Sequence, residues 1–241
     1  MLNSLWMSAV AGVGATLIGV LIMSLIKIKD DQKMALVLSY SAGFMLALVA
    51  FDMIPEAIAK AGIWVFTLSL VVGLALMATI DMLIEKKVST LQSVQDSKSK
   101  ASEILILMAM CLHNLPEGMA LGALEVAKNA IAFTILLSVH NIFEGMAIGA
   151  SLQNNNEKIS TAVFGGILAG LPTVIGAMIG YGISNISATF VTICLALSSS
   201  AMIYVVFKEL LAQSYEKGNK MVVGFSTIAG LVIGMVIIYL V

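Results

Sequence analysis

Long apolar runs, separated by short polar breaks, make up most of this 241-residue chain. A helix that crosses a membrane needs about 20 mostly apolar residues, and the runs are of that length. The pattern therefore predicts eight transmembrane helices, near residues 3–26, 34–57, 62–84, 103–124, 129–152, 159–181, 186–209 and 221–241.

The longest polar break, EKKVSTLQSVQDSKSKAS, lies between the third and fourth predicted helices. Its composition is typical of a mobile segment. The other connections are short, and we expect no soluble domain to be appended. The prediction is a single transmembrane domain over residues 1–241, with one polar loop at about 85–102.

Composition excludes an ordinary soluble domain. Apolar residues are 60% of the chain, charged residues are 11%, and the mean hydropathy is +1.03, whereas soluble domains carry roughly 25% charged residues. The first apolar segment lacks a basic start and is too long for a signal-peptide core, so we expect it to be retained. We predict an all-α, polytopic protein of the plasma (inner) membrane. Cys111 and Cys194 lie inside apolar runs and indicate neither a disulfide framework nor a CxxC metal site.

The lysines predict the orientation. All 13 basic residues are lysine, and 11 of them fall in the odd-numbered connections or at the helix ends beside them. Because cytoplasmic loops carry an excess of Lys and Arg, these connections are expected inside and both termini outside. The 11 are Lys27, Lys29, Lys33, Lys86, Lys87, Lys98, Lys100, Lys158, Lys208, Lys217 and Lys220, which leaves Lys60 and Lys128 on the other side.

Two nearly identical decapeptides lie in the fourth and fifth predicted helices. HNLPEGMALG begins at His113 and HNIFEGMAIG begins at His140, and seven of the ten positions are identical. These are the only two histidines of the chain. A charge at mid-membrane costs at least about 2.5–3.5 kcal/mol, and such residues are functional candidates by default.

The spacing places His and Glu together on each helix. Positions i and i+4 lie about 40° apart around a helix, so His113 shares a face with Glu117, and His140 shares a face with Glu144. If the two helices pack face to face, two imidazoles and two carboxylates converge. Such ligands suit zinc, iron and related divalent ions, whereas Mg²⁺ and Ca²⁺ prefer oxygen alone.

Neighbouring residues extend this candidate site. Asn114 and Asn141 each precede a glutamate by three residues, so each Glu could bridge the histidine-bound ion and a second, weaker site. Pro116 removes the hydrogen bond normally given to the carbonyl of Leu112 and so frees an oxygen near the site.

Other polar residues are less decisive. Asp52 and Glu56 share a face near the end of the second helix, where they could line an entrance or simply lie at the interface. Asp81 and Glu85 are expected at a solvated helix end, and Cys111 and most of the 16 methionines are expected to be structural.

Several alternatives stay open at this point. A buried His–Glu ion pair would explain one copy of the motif but not two. An intramembrane metalloprotease would need HExxH, and a di-metal oxidase bundle would need Glu-x-x-His; here the order is His-x-x-x-Glu. Ligands in a membrane path do not distinguish a channel from a carrier.

The motifs resemble a known family. HNLPEG and HNIFEG are similar to the paired signature of the ZIP (Zrt/Irt-like protein) metal transporters, especially the bacterial ZupT- and GufA-like members. AGFMLALVAFDMIPEA resembles the second-helix pattern of that family, and SAMIYVVFKELL its seventh. The helices of these two stretches are also weakly alike and run in opposite directions, which is typical of inverted repeats in transporters.

The resemblance implies passive movement of a divalent transition metal into the cytoplasm, a 3+2+3 arrangement of the helices, and an elevator-like motion. It implies zinc, or else iron, manganese, cobalt or cadmium, as the bound substrate, and no organic cofactor. The primary metal site would comprise His113, Glu117, His140 and Glu144, and the second site Asn114, Asn141 and both glutamates. The transport pathway would also include Met45, Asp52, Glu56, Thr173 and Glu209.

One departure from the family bears on the second site. Related members often carry a Glu-Pro pair in the sixth helix, but here the stretch is AGLPTVIGA, with Thr173 at the aligned position. A hydroxyl is a poorer ligand than a carboxylate, so we expect the second ion to bind weakly or not at all. The expected partners are divalent metal ions and the lipid bilayer; a homodimer is left open, and nucleic acid is not expected.

Overall fold

The computed structural model describes residues 2–26, 28, 30–89, 104, 107–108, 110–119, 121–122, 130–154, 158–182 and 187–240. Within these residues the chain is helical and contains no strand. The prediction of an all-α protein is therefore confirmed. The polar loop predicted at about 85–102 lies mostly outside the described residues.

Helices occupy the predicted positions. We label them α1 to α8 in chain order: α1 comprises Leu2–Ser8, Ala9–Gly14 and Ala15–Ile26; α2 comprises Asp31–Leu48, Val49–Met53 and Ile54–Ala61; α3 is Ile63–Ser89; α4 is described as helical over 110–119; α5 is Ala130–Asn154; α6 is Ile159–Gly182; α7 comprises Ala188–Val205, Val206–Leu210 and Leu211–Lys217; and α8 is Lys220–Leu240.

Six of these helices are long and apolar enough to cross a membrane: α1, α2, α3, α6, α7 and α8. In α5 the apolar part is the shorter segment Thr134–Ala150, and α4 is only partly described. The structure thus agrees with a multi-pass membrane protein, and the count of eight spans stays a prediction.

Local signals fix several helix ends. Asp30 caps α2, because its carboxylate accepts hydrogen bonds from the backbone N–H groups of Gln32 and Lys33 at 2.8 and 3.2 Å. Gly62 ends the same helix at φ 84°, a conformation that glycine adopts without strain. Ser187 caps α7 by accepting from the N–H of Phe190.

Two boundaries correct the sequence analysis. α3 continues through Ser89, so the stretch from residue 85 to residue 89 is helix rather than loop; Lys86 and Lys87 lie in its last turn, where positive charge is favourable. α7 continues to Lys217, so Lys208 lies within a helix rather than at its end. The lysine asymmetry still favours the same orientation without Lys208.

The helices form two groups, one of α1, α4, α5 and α6 and the other of α2, α3, α7 and α8. Glycines allow close packing within both groups. α1 meets α5 where a Cβ on Gly19 would collide with the carbonyl of Ile142, and one on Gly145 with the carbonyl of Thr16. α4 meets α6 where a Cβ on Gly118 would collide with the carbonyl of Thr173. Elsewhere α8 packs on α2, and α3 packs on α7. Residue 43 is a glycine for the same reason at the α2–α8 contact.

The two groups meet where α5 packs against α2. The ring of Phe143 lies 4.4 Å, centroid to centroid, from that of Phe44 and 5.4 Å from that of Tyr40. Both α2 and α7 contain a π-helical segment, Val49–Met53 and Val206–Leu210, in the stretches whose sequences are weakly alike. Such segments occur frequently at functional sites.

Candidate metal centre

The His and Glu side chains of α4 and α5 meet in the interior of the helix bundle. His113, Glu117, His140 and Glu144 are each at most 3% exposed. The two imidazole rings lie 5.9 Å apart, centroid to centroid, at an interplanar angle of 61°. The convergence expected from the matched helix faces is therefore seen in the structure.

The shortest contact crosses from α4 to α5, and the next lies within α5. His113 Nε2 contacts Glu144 Oε1, and the same carboxylate oxygen lies 2.9 Å from His140 Nε2. Glu144 thus lies between both imidazoles. On the other side, His140 Nε2 lies 3.8 Å from Glu117 Oε2. The ligand atoms of His113, His140 and Glu144 all fall within 4.8 Å of one another, which is compact enough to hold one metal ion.

Several of these buried atoms have no hydrogen-bond partner among the described residues. They are Nδ1 and Nε2 of His140 and Oε2 of Glu117; His140 Nε2 lies close to Glu144 Oε1, at 2.9 Å, but is not aligned for a hydrogen bond to it. Buried polar atoms are normally paired, and an unpaired one calls for an explanation. A cation bound among them would provide one for His140 Nε2 and Glu117 Oε2.

The asparagines are oriented by backbone carbonyls. Asn114 Nδ2 donates to the carbonyl of Ala169 on α6 at 2.9 Å and to Glu144 Oε2 at 3.2 Å. Asn141 Nδ2 donates to the carbonyl of Ala11, in the π-helical segment of α1, at 2.7 Å. These bonds leave Oδ1 of both side chains buried and without a described partner. Each amide therefore keeps an acceptor oxygen that a cation could use.

Thr173 lies beside this group. Its side chain is buried, and its Oγ1 has no partner among the described residues. It packs between two glycines, because a Cβ on Gly12 would meet the Thr173 side chain and one on Gly118 would meet its carbonyl. Space for a larger side chain is therefore limited by α1 and α4.

Four other residues were predicted to belong to the transport pathway: Met45, Asp52, Glu56 and Glu209. Asp52 lines a small, mostly apolar cavity that also reaches Glu117, and Met45 is fully buried in the core. Glu56 instead pairs with Lys60 at 3.4 Å, with both side chains about one third exposed. Glu209 is buried and accepts a hydrogen bond from Gln213 at 3.3 Å. The structure brings Asp52 to the edge of the His/Glu site and keeps Glu56 in its own ion pair.

Asp81 corrects another expectation. It is 5% exposed rather than solvated, and it contacts both Lys208 and the hydroxyl of Tyr204 on α7, the latter at 2.6 Å. Glu85 joins Lys208 at 3.1 Å and is largely exposed, as expected for a helix end. The cause is the extension of α7, which carries the lysine alongside α3.

One contact at the site could not be foreseen from the sequence. Ser198 of α7 lies with its Oγ 3.3 Å from Glu117 Oε1 and 3.2 Å from the carbonyl of His113. The run Ser198–Ser200 within an apolar helix was the available signal, but nothing in it points to α4.

The fold and this cluster define the class: an all-helical, multi-pass membrane protein whose interior brings together side chains that could hold a metal ion. The family profile described as ZIP Zinc transporter matches residues 84–241. The chain belongs to the ZIP zinc transporter family, as its motifs indicated.

Two curated relatives align with most of the chain, and a third aligns with about half of it. It is 28% identical to the zinc transporter ZupT of Clostridium perfringens, over 91% of this chain and 89% of that protein. It is 27% identical to the zinc transporter ZIPB of Bordetella bronchiseptica, over 93% and 77%. It is 34% identical to the zinc transporter GufA of Myxococcus xanthus, over 48% and 47%. These are transporters and not enzymes, so the metalloprotease alternative is not favoured.

Proposed function

We propose that this protein carries a divalent transition metal, zinc above all, into the cytoplasm through the His/Glu site between α4 and α5. The observation that supports it best is that buried atoms of His140 and Glu117 make no hydrogen bond to any residue that the structure describes, although they lie beside other ligand-type atoms. Metal binding needs neutral imidazoles, and two carboxylates beside them would then leave a net negative charge in the membrane, which one divalent ion would offset.

The ligand types favour transition metals as substrates. Two imidazole nitrogens and carboxylate oxygens suit zinc, iron, manganese, cobalt and cadmium, whereas Mg²⁺ and Ca²⁺ are bound by oxygen alone. A second ion would rely on Asn114, Asn141 and the glutamates, with Thr173 in place of a carboxylate. We therefore propose one strongly bound ion and a weak second site.

The proposed arrangement has eight spans in a single domain over residues 1–241, both termini outside, and α4 and α5 enclosed by three helices on each side. The glycine contacts that join α1 to α5 and α4 to α6 support a metal-carrying group that moves as a unit against the remaining helices. Met45, Asp52 and Glu209 would line its path; Glu56 would lie at the edge of that path.

Zinc uptake into proteoliposomes tests this proposal. Wild type is expected to take up zinc saturably, as a carrier does, and Glu117→Ala and His140→Ala are expected to abolish uptake. Glu216→Gln, which changes an exposed carboxylate at the end of α7, is the matched control and should leave uptake unchanged. A folded wild type that moves no divalent metal would contradict the proposal.

A further inference from the structure

Glu117 presents its two carboxylate oxygens to different surroundings. Oε1 receives the hydroxyl of Ser198 from α7, at 3.3 Å, whereas Oε2 faces His140 Nε2 at 3.8 Å and has no hydrogen-bond partner among the described residues. We infer that Ser198 is a positioning residue that occupies one oxygen of Glu117, so that Glu117 binds the metal through the other oxygen alone. This inference rests on the proposed function.

The hydroxyl has one proton and two acceptors within reach. The carbonyl of His113, 3.2 Å away, is the usual helical acceptor for the N–H of Glu117 four residues later. A carboxylate that binds a metal is charged, and hydrogen bonds to charged acceptors are roughly twice as strong as those between neutral groups. The proton therefore belongs mainly to Glu117 Oε1, and the carbonyl keeps the serine close to α4.

Three neighbouring hydroxyls of α7 are engaged elsewhere. Ser200 donates to the carbonyl of Leu197 within its own helix at 2.6 Å, and Ser199 lies 4.0 Å from Met53 Sδ. Thr192 donates to the carbonyl of Ala57 on α2 at 2.9 Å. Thr192 and Ser198 are both fully buried. Thr192 therefore makes a comparable buried hydrogen bond between helices, but away from the His/Glu site.

This arrangement has consequences for affinity and for selectivity. Loss of a hydrogen-bond partner behind a metal ligand typically lowers metal affinity about 10- to 100-fold. A carboxylate that binds through one oxygen suits four-coordinate zinc. A carboxylate released from Ser198 can bind through both oxygens, a mode found with larger ions of higher coordination number. The serine should therefore favour zinc over the larger cadmium ion.

The test is initial-rate uptake of zinc and cadmium into proteoliposomes by Ser198→Ala, with Thr192→Ala as the matched control. We expect Ser198→Ala to raise the zinc KM at least about 10-fold, with a smaller change in Vmax, and to lower the zinc-to-cadmium ratio of Vmax/KM. Thr192→Ala should keep the zinc KM and the zinc-to-cadmium ratio of wild type. Ser198→Thr keeps the hydroxyl and should therefore keep both values as well.

A second pair of variants covers the case in which Ser198→Ala does not fold. Ser198→Thr and Ser198→Val have nearly the same shape and differ in the hydroxyl, so only the valine variant should show the raised KM and the altered ratio. Equal zinc KM and equal metal ratio in that pair, or in Ser198→Ala and wild type, would overturn the role of Ser198. If wild type itself moved no zinc, the proposed function would fail instead.

Discussion

Within the helices that the structure describes, two clusters of ionisable side chains join neighbouring helices, and their charges are balanced in different ways. The His/Glu site joins α4 to α5, is fully buried, and combines two imidazoles with two carboxylates. The second, the Asp81–Lys208 cluster, joins α3 to α7 and comprises Asp81, Glu85, Tyr204 and Lys208. It contains its own cation.

The difference indicates which cluster is built to receive an ion. In the Asp81–Lys208 cluster an ammonium group and a phenol satisfy the buried carboxylate of Asp81. In the His/Glu site the described residues leave two imidazole nitrogens and one carboxylate oxygen without hydrogen bonds. An internal ion pair stabilises the fold, whereas under the proposed function the incomplete site would take up a cation and release it again.

The largest effect is expected from removing one charge of the His/Glu site. Glu144→Gln keeps the size of the side chain that lies between both histidines but removes its negative charge. We expect zinc uptake to fall at least about 100-fold, since Glu144 is proposed to bind the metal directly rather than to support another ligand. Asp81→Asn makes the same chemical change in the other cluster and should keep uptake per folded protein within a few-fold of wild type. An equal loss of zinc uptake in Glu144→Gln and Asp81→Asn would contradict the proposal that only the His/Glu site binds the metal.

Zinc should also stabilise the protein through one cluster only. A ligand at 100 times its Kd stabilises the folded state by about 2.7 kcal/mol. Thermal unfolding in detergent should therefore move upward with zinc in wild type and in Lys208→Ala, and should not move in His140→Ala. A zinc-dependent shift that survived His140→Ala would locate the binding elsewhere.

Breaking the Asp81–Lys208 cluster is expected to cost stability rather than transport. Lys208→Met removes the ammonium group and leaves Asp81, which is 5% exposed, with the Tyr204 hydroxyl. Hydrogen bonds to charged groups contribute about 1.5–3 kcal/mol, and the partial exposure of Lys208 places the loss near the lower value. Unfolding in detergent measures it; a raised zinc KM with unchanged stability would contradict this assignment.

The smallest effect is expected at Glu56. Its pair with Lys60 is partly exposed, and such pairs contribute about 0–1 kcal/mol. Glu56→Gln should change the zinc KM less than about 2-fold, whereas Asp52→Asn, beside the cavity that reaches Glu117, should change it more. A larger change in the zinc KM for Glu56→Gln than for Asp52→Asn would indicate that Glu56, and not Asp52, lies nearer the path of the metal.

The sequence was sufficient for what depends on local pattern. Hydropathy located the helices, because a membrane span requires a long apolar run. The i, i+4 spacing placed His140 and Glu144 on one face, because helix geometry is regular. Both signals are contained in a few neighbouring residues.

What the sequence could not predict depends on distant parts of the chain. The extension of α7 to Lys217 was missed because Lys208 and Glu209 resemble a helix end, and only the contact of Lys208 with α3 shows otherwise. The contact of Ser198 with Glu117 joins residues 81 positions apart. The orientation of Asn141 depends on a carbonyl in α1, 130 positions away.

X-ray absorption at the zinc edge, on purified protein loaded with one equivalent of zinc, tests most directly whether the His/Glu site binds the metal. Binding there predicts nitrogen and oxygen ligands at about 2.0–2.2 Å, with the scattering of two imidazoles, one of which is lost in His140→Ala. A shell of sulfur at about 2.3 Å, or a spectrum that His140→Ala does not alter, would contradict it.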